Sequence, residues 1–72
     1  MSDPMPNNKS LEKWETATHL YVIYLVPSGS PPKYNIQEKS FKTGKFRTIG
    51  NELPYNYCLD IVRKKNAKKQ PF

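Results

Sequence analysis

The chain has 72 residues, a net charge of +6, one cysteine and one histidine. That length holds one domain at most, and the single Cys58 and His19 exclude an internal disulfide and a zinc site assembled from cysteine and histidine. A domain of this size buries only about 60% of the surface its unfolded chain exposes, so a chain without such staples is expected to finish its burial against a partner.

The charge is divided unevenly. Over residues 1–40 the lysines and the acids cancel. Over 41–72 eight cations, Lys42, Lys45, Arg47, Arg63, Lys64, Lys65, Lys68 and Lys69, face only Glu52 and Asp60, so this half carries the whole excess. Such asymmetry points to a nucleic acid or an acidic protein surface as partner.

"MSDPMPNNKS" has two prolines, two asparagines and no apolar periodicity, and reads as a flexible start. "LEKWETA" reads as an extended lead-in. Thr18–Val26, "THLYVIYLV", is the longest apolar run, but its seven residues from Leu20 to Val26 fall far short of the about 20 needed to cross a bilayer. The first seventeen residues, with Asp3, Pro4, Pro6, Glu12 and Glu15, lack the basic start and apolar middle of an export signal. The run is rich in β-branched and aromatic residues and reads as a first strand. Alternation puts Leu20, Val22, Tyr24 and Val26 on one face and His19, Tyr21, Ile23 and Leu25 on the other. Both faces are apolar, one expected in the core and the other only partly covered.

"PSGSPPK" breaks the strand. "YNIQEKSF" alternates and gives a half-exposed second strand, with Tyr34, Ile36 and Glu38 sharing a face. "KTGK" is a turn in which Gly44 takes the positive φ, not a phosphate loop, since the fingerprint G-x-x-x-x-G-K-[ST] is absent. Phe46–Ile49 is a third strand stopped by Gly50, and Phe41 and Phe46 are placed to pack across the hairpin. In "GNELPYNYCLDIVRKKN" Asn51 is a possible cap and Pro54 suits a first helical turn. Leu53, Tyr57 and Ile61, with Cys58 and Val62 beside them, form a helical stripe. Arg63, Lys64 and Lys65 close the helix where its dipole favours cations. "NAKKQPF" is a frayed basic tail.

No catalytic set is visible. His19 lies among apolar strand residues and Cys58 on the helical stripe, where a buried thiol behaves as a small hydrophobe. The chain is therefore expected not to be an enzyme and to need no cofactor. "RKKNAKK" could neutralise phosphates or serve as a solvated helix end. Phe41, Lys42, Lys45, Phe46 and Arg47 come close to the interleaved aromatics and cations of single-strand binding, although phenylalanines at a hairpin more often join the core. Trp14 either anchors an interface or caps a small core, the second being preferred in so short a chain.

Read end to end, "NNKSLEKWETATHLYVIYLVPSGSPPKYNIQEKSFKTGKFRTIGNELPYNYCLDIVRKKNAKK" resembles the small transcription regulators of lytic phages that infect xanthomonads. The resemblance covers most of the chain and rests on overall size and the order of elements. It implies a protein in the cytoplasm of the bacterial host that binds the large subunits of RNA polymerase, blocks promoter use by displacing the sigma factor, and promotes antitermination.

The expected fold is α+β: a small antiparallel sheet of about three strands with one C-terminal helix and flexible termini. Residues 1–12 are expected as a flexible N-terminal tail, 13–66 as the domain and 67–72 as a basic flexible C-terminal tail. Core candidates are Leu20, Val22, Tyr24, Ile36, Phe46, Ile49, Cys58, Ile61 and Val62. Trp14 and Leu11 are the candidates for apolar contact with a partner. Lys42, Lys45, Arg47, Arg63, Lys64 and Lys65 are those for an acidic surface or nearby DNA or RNA. The alternative function is a small basic nucleic-acid-binding protein.

Overall fold

The computed structural model describes residues 10–27 and 31–71. The chain forms strands β1 (Ser10–Glu15), β2 (His19–Val26), β3 (Lys33–Ser40) and β4 (Phe46–Leu53), helix α1 (Tyr55–Lys64) and strand β5 (Lys68–Gln70). The architecture is α+β, as expected, but the antiparallel sheet has five strands in the order β4-β3-β2-β1-β5 where three were expected. The two extra strands come from the segments least strand-like in sequence. "SLEKWE" and "KKQ" pair with each other through Lys13–Gln70, Trp14–Lys69 and Glu15–Lys68. The folded unit thus begins before residue 13, and the expected tail at 67–72 contributes β5. Met1–Lys9 lie outside the described residues.

The delivery of β5 is local chemistry. Lys65 caps α1, Asn66 takes the left-handed conformation at φ 57°, and Asn66 N–H and Ala67 N–H donate to the carbonyls of Arg63 and Val62 at 3.0 Å each. This pair of bonds is the Schellman arrangement, and asparagine is among the few residues that tolerate its αL position. It turns the chain so that Ala67 is buried and Lys68 enters the sheet beside β1. At the other end of α1 Asn51 does not cap the helix, because β4 runs through Gly50 to Leu53. Pro54 is the capping residue, with φ −60° and ψ 151°, and makes no side-chain capping bond.

The registers place residues in rows across the sheet. One face carries the rows Trp14–Tyr21–Glu38–Arg47 and Glu12–Ile23–Ile36–Gly50; the other carries Lys13–Val22–Gln37–Thr48 and Glu15–Leu20–Lys39–Phe46. The helix packs on the first face, so the core is Tyr21, Ile23, Ile36, Cys58, Val62 and Ala67, with Trp14, Tyr34, Ile49, Leu53 and Ile61 packed against it. The expected core face of β2 is therefore the other one. Val22 is buried away from the helix, Leu20 and Tyr24 are half-buried there, and Phe46 is 52% exposed on the edge strand. Tyr57, expected in the helical stripe, is 63% exposed. Full burial of Ile23 and Ile36 contributes about 1.5–3 kcal/mol each.

Gly50 leaves room for the side chains of Ile36 and Leu53. A Cβ there would lie 2.6 Å from Ile36 Cγ2 and 2.7 Å from Leu53 Cδ1, so any side chain would displace the core. Among the described residues no helix is long and apolar enough to cross a membrane.

Candidate partner-binding surface

Glu38 is 8% exposed, unusual for a carboxylate. Its position in β3 puts it on the helix face beside Ile36, opposite Tyr21 on one side and Arg47 on the other. Tyr21 Oη donates to Glu38 Oε2 at 2.9 Å, and Arg47 Nη2 donates to Glu38 Oε1 at 2.8 Å. Burial alone would raise the Glu38 pKa, but these two hydrogen bonds, with the charge of Arg47, hold it below its ordinary value. Tyr21 moves the other way: burial first, then its bond to Glu38 and that residue's charge, push the phenol up to about 12.

This chain of contacts joins the two basic stretches of the sequence. Lys65 Nζ lies 5.8 Å from the centre of the Tyr21 ring, a cation–π distance. Arg47 reaches Glu38 from β4, yet its side chain remains 74% exposed. The end of α1 and the start of β4, separated in sequence by the whole β4–α1 segment, thus present Lys65 and Arg47 on one side of the molecule. His19, the first residue of β2, stacks on Tyr21 with ring centres 6.1 Å apart and its Nδ1 lies 2.7 Å from Thr18 Oγ1. An open cavity of about 300 Å³ beside Glu38 is lined by His19, Ser40, Thr43, Lys45, Phe46 and Arg47.

The other candidate residues separate from this group. Lys42 sits on the exposed β3–β4 turn, and Arg63 is exposed in the last turn of α1. Lys64 borders a second open cavity, of about 280 Å³, with Tyr57, Asp60 and Ile61. Trp14 is half-buried, packs against the core, and donates from Nε1 to Glu12 Oε1 at 2.8 Å. Glu12 also accepts from Tyr55 Oη and lies 3.7 Å from Lys69 Nζ. Trp14 is thereby built into the seam between β1, β5 and the core. The Leu11 side chain lies outside the described ones.

Sequence reasoning did not find the Tyr21–Glu38 pair, although one signal was available: Glu38 alternates in phase with Tyr34 and Ile36, a carboxylate on an apolar face that requires a partner. It also gave Phe46 to the core and set Phe41 to pack across the hairpin, whereas they are 52% and 45% exposed. Among the described residues no group of three or more histidine, cysteine or acidic side chains is placed to hold a metal ion. No protein-family model matches the chain, and no curated protein or solved structure matches it either.

Proposed function

We propose that this chain is a phage-encoded regulator that binds the large subunits of host bacterial RNA polymerase, displaces the sigma factor to block promoter use, and promotes antitermination. It acts in the host cytoplasm as a binding protein without catalysis. The sequence resemblance supplies the identity of the partner. The observation that supports a binding role is the convergence of Lys45, Arg47 and Lys65 around the buried Tyr21–Glu38 pair, which makes one basic surface from two distant stretches. Such a surface suits an acidic protein face and speeds encounter with it. Sigma is lost because the polymerase's affinity for it falls by the coupling free energy between the two binding events.

The test uses purified polymerase, with and without sigma, captured on the immobilised chain. The core enzyme is expected to be retained and sigma to appear in the wash. The double variant Lys45→Glu/Lys65→Glu, which spares the Arg47–Glu38 bond, is expected to weaken capture by at least about tenfold, the equivalent of about 1.4 kcal/mol. Absence of core-enzyme capture overturns the polymerase reading. Unchanged capture by a folded double variant overturns the role of the basic surface.

A further inference from the structure

We infer that the end of the sheet bearing the β3–β4 turn is a binding surface for single-stranded nucleic acid. This goes beyond the polymerase reading: it shares Lys45 and Arg47 with that surface but rests on the exposed rings of Phe41 and Phe46, which that reading does not use. Every residue from Phe41 to Thr48 is exposed. Within that span Phe41 and Phe46 flank the turn as exposed rings, and Lys42, Lys45 and Arg47 alternate with them, with no acidic residue among the eight. Lys39 adds a fourth cation, its Nζ 5.6 Å from the centre of the Phe46 ring. The nearest acid in the sheet rows, Glu38, is buried and already bonded by Tyr21 and Arg47.

The turn is hydrogen-bonded to itself and to the sheet. Gly44 N–H donates to Ser40 O at 2.7 Å, Ser40 N–H to Lys45 O at 3.1 Å and Phe41 N–H to Thr18 O at 3.0 Å. Thr43 N–H and Lys45 N–H donate to Ser40 Oγ and Thr43 Oγ1. The backbone that carries both phenylalanines is thus closed on itself and tied to the start of β2. Beside Phe46 the cavity of about 300 Å³ is lined by Lys45, Arg47, Ser40 and Thr43, with Glu38, already bonded by Tyr21 and Arg47, in its wall; Lys45 is the cation placed there to meet a phosphate.

Two considerations favour a single strand over other occupants. Bases stack on aromatic rings only where they are unpaired, and a groove of cations beside such rings tracks the backbone without reading sequence. Lys39 Nζ lies 5.6 Å from the centre of the Phe46 ring, so a base stacked there would have a cation beside it for the strand's phosphates.

The experiment is fluorescence anisotropy of the full chain with labelled single-stranded RNA and DNA oligonucleotides and with a duplex of equal length. The single strands are expected to bind more tightly than the duplex. Their log affinity should fall against log salt with a slope near −0.7 for each phosphate neutralised, or about −2 for Lys42, Lys45 and Arg47 together. Phe41→Ala and Phe46→Ala should each weaken binding about tenfold with the slope unchanged, in the range that loss of one stacked base produces. Phe46→Trp should retain affinity, and Lys42→Gln/Lys45→Gln should flatten the slope. Equal binding of duplex together with indifference to both alanine variants overturns the proposal and leaves diffuse charge attraction. Absence of oligonucleotide binding, with Phe46→Ala impairing capture of polymerase, overturns it in favour of a protein contact.

Discussion

Tyr21 and Glu38 stand directly opposite each other on β2 and β3, and the phenol donates to the carboxylate at 2.9 Å within the core. The bond satisfies a buried acid that apolar neighbours would otherwise expel, and it sets the position of Arg47 at the surface. Removing the hydroxyl in Tyr21→Phe should lower stability by about 1–3 kcal/mol, because the acceptor left behind remains buried and ionised. A urea titration followed by circular dichroism measures this as a lower midpoint at unchanged slope.

The same pair gives the fold two pH limits. Glu38 lies below its ordinary value in the folded chain, so its contribution is present above the ordinary carboxylate range and is lost as pH falls through the depressed value. Tyr21 is raised from 10.0 to about 12, so its contribution is full below 10 and is lost as pH rises through about 12. Urea midpoints measured across pH should show the acid loss diminished in Glu38→Gln and the alkaline loss diminished in Tyr21→Phe. Parallel curves for wild type and variants would place the linkage elsewhere.

Gly50→Ala should cost about 1–3 kcal/mol by overpacking, since its Cβ would meet Ile36 and Leu53 well inside contact distance. Gly44→Ala is the control. It has open space and φ 72°, so it bears only the left-handed backbone cost of about 1–2 kcal/mol. Leu53→Ala, which removes the clashing Cδ1, should cost less in the Gly50→Ala background than in the wild type, and no less in the Gly44→Ala background.

Cys58 is fully buried between α1 and the sheet, and burial, with the charge of Glu12, pushes its thiol pKa up. A thiol reagent at mildly alkaline pH should label the native chain only through opening of the structure, at a rate that climbs with urea. Labelling at the speed of a free thiol would show that α1 does not stay docked.

The apolar run of β2, the break after it, the β3–β4 turn and the presence of α1 were readable, because each rests on local periodicity or turn chemistry, but the helical stripe was misplaced: Leu53 lies in β4 and Tyr57 is exposed, while Cys58, Ile61 and Val62 face the sheet. The choice of face in β2 was not readable. Leu20–Val22–Tyr24 and Tyr21–Ile23 are about equally apolar, and what decides between them is non-local: α1 brings Cys58 and Val62 against Ile23 and Ile36, and Glu38 supplies the acceptor for Tyr21. β1 and β5 escaped for the same reason, since their strand character comes from pairing, β1 with β2 and β5 with β1. Asn66 was a legible stop that went unused; an asparagine directly after "RKK" is a common left-handed helix end, and it turns the expected tail back toward β1. Of the candidate surface, the cations were plain in the sequence, but the contact that unites Arg47 with Lys65 passes through Glu38, which alternation placed correctly, and Tyr21, whose face of β2 was not expected to be the core.

The pairing of β1 with β5 also orders events in time. Glu15 cannot meet Lys68 until nearly the whole described chain has been made, so the first strand has a neighbour on one side only throughout synthesis. Contacts between such distant positions form slowly, and the Trp14 flank stays uncovered until the last strand arrives. A nascent chain stalled before Asn66 would leave the outer edge of β1 bare.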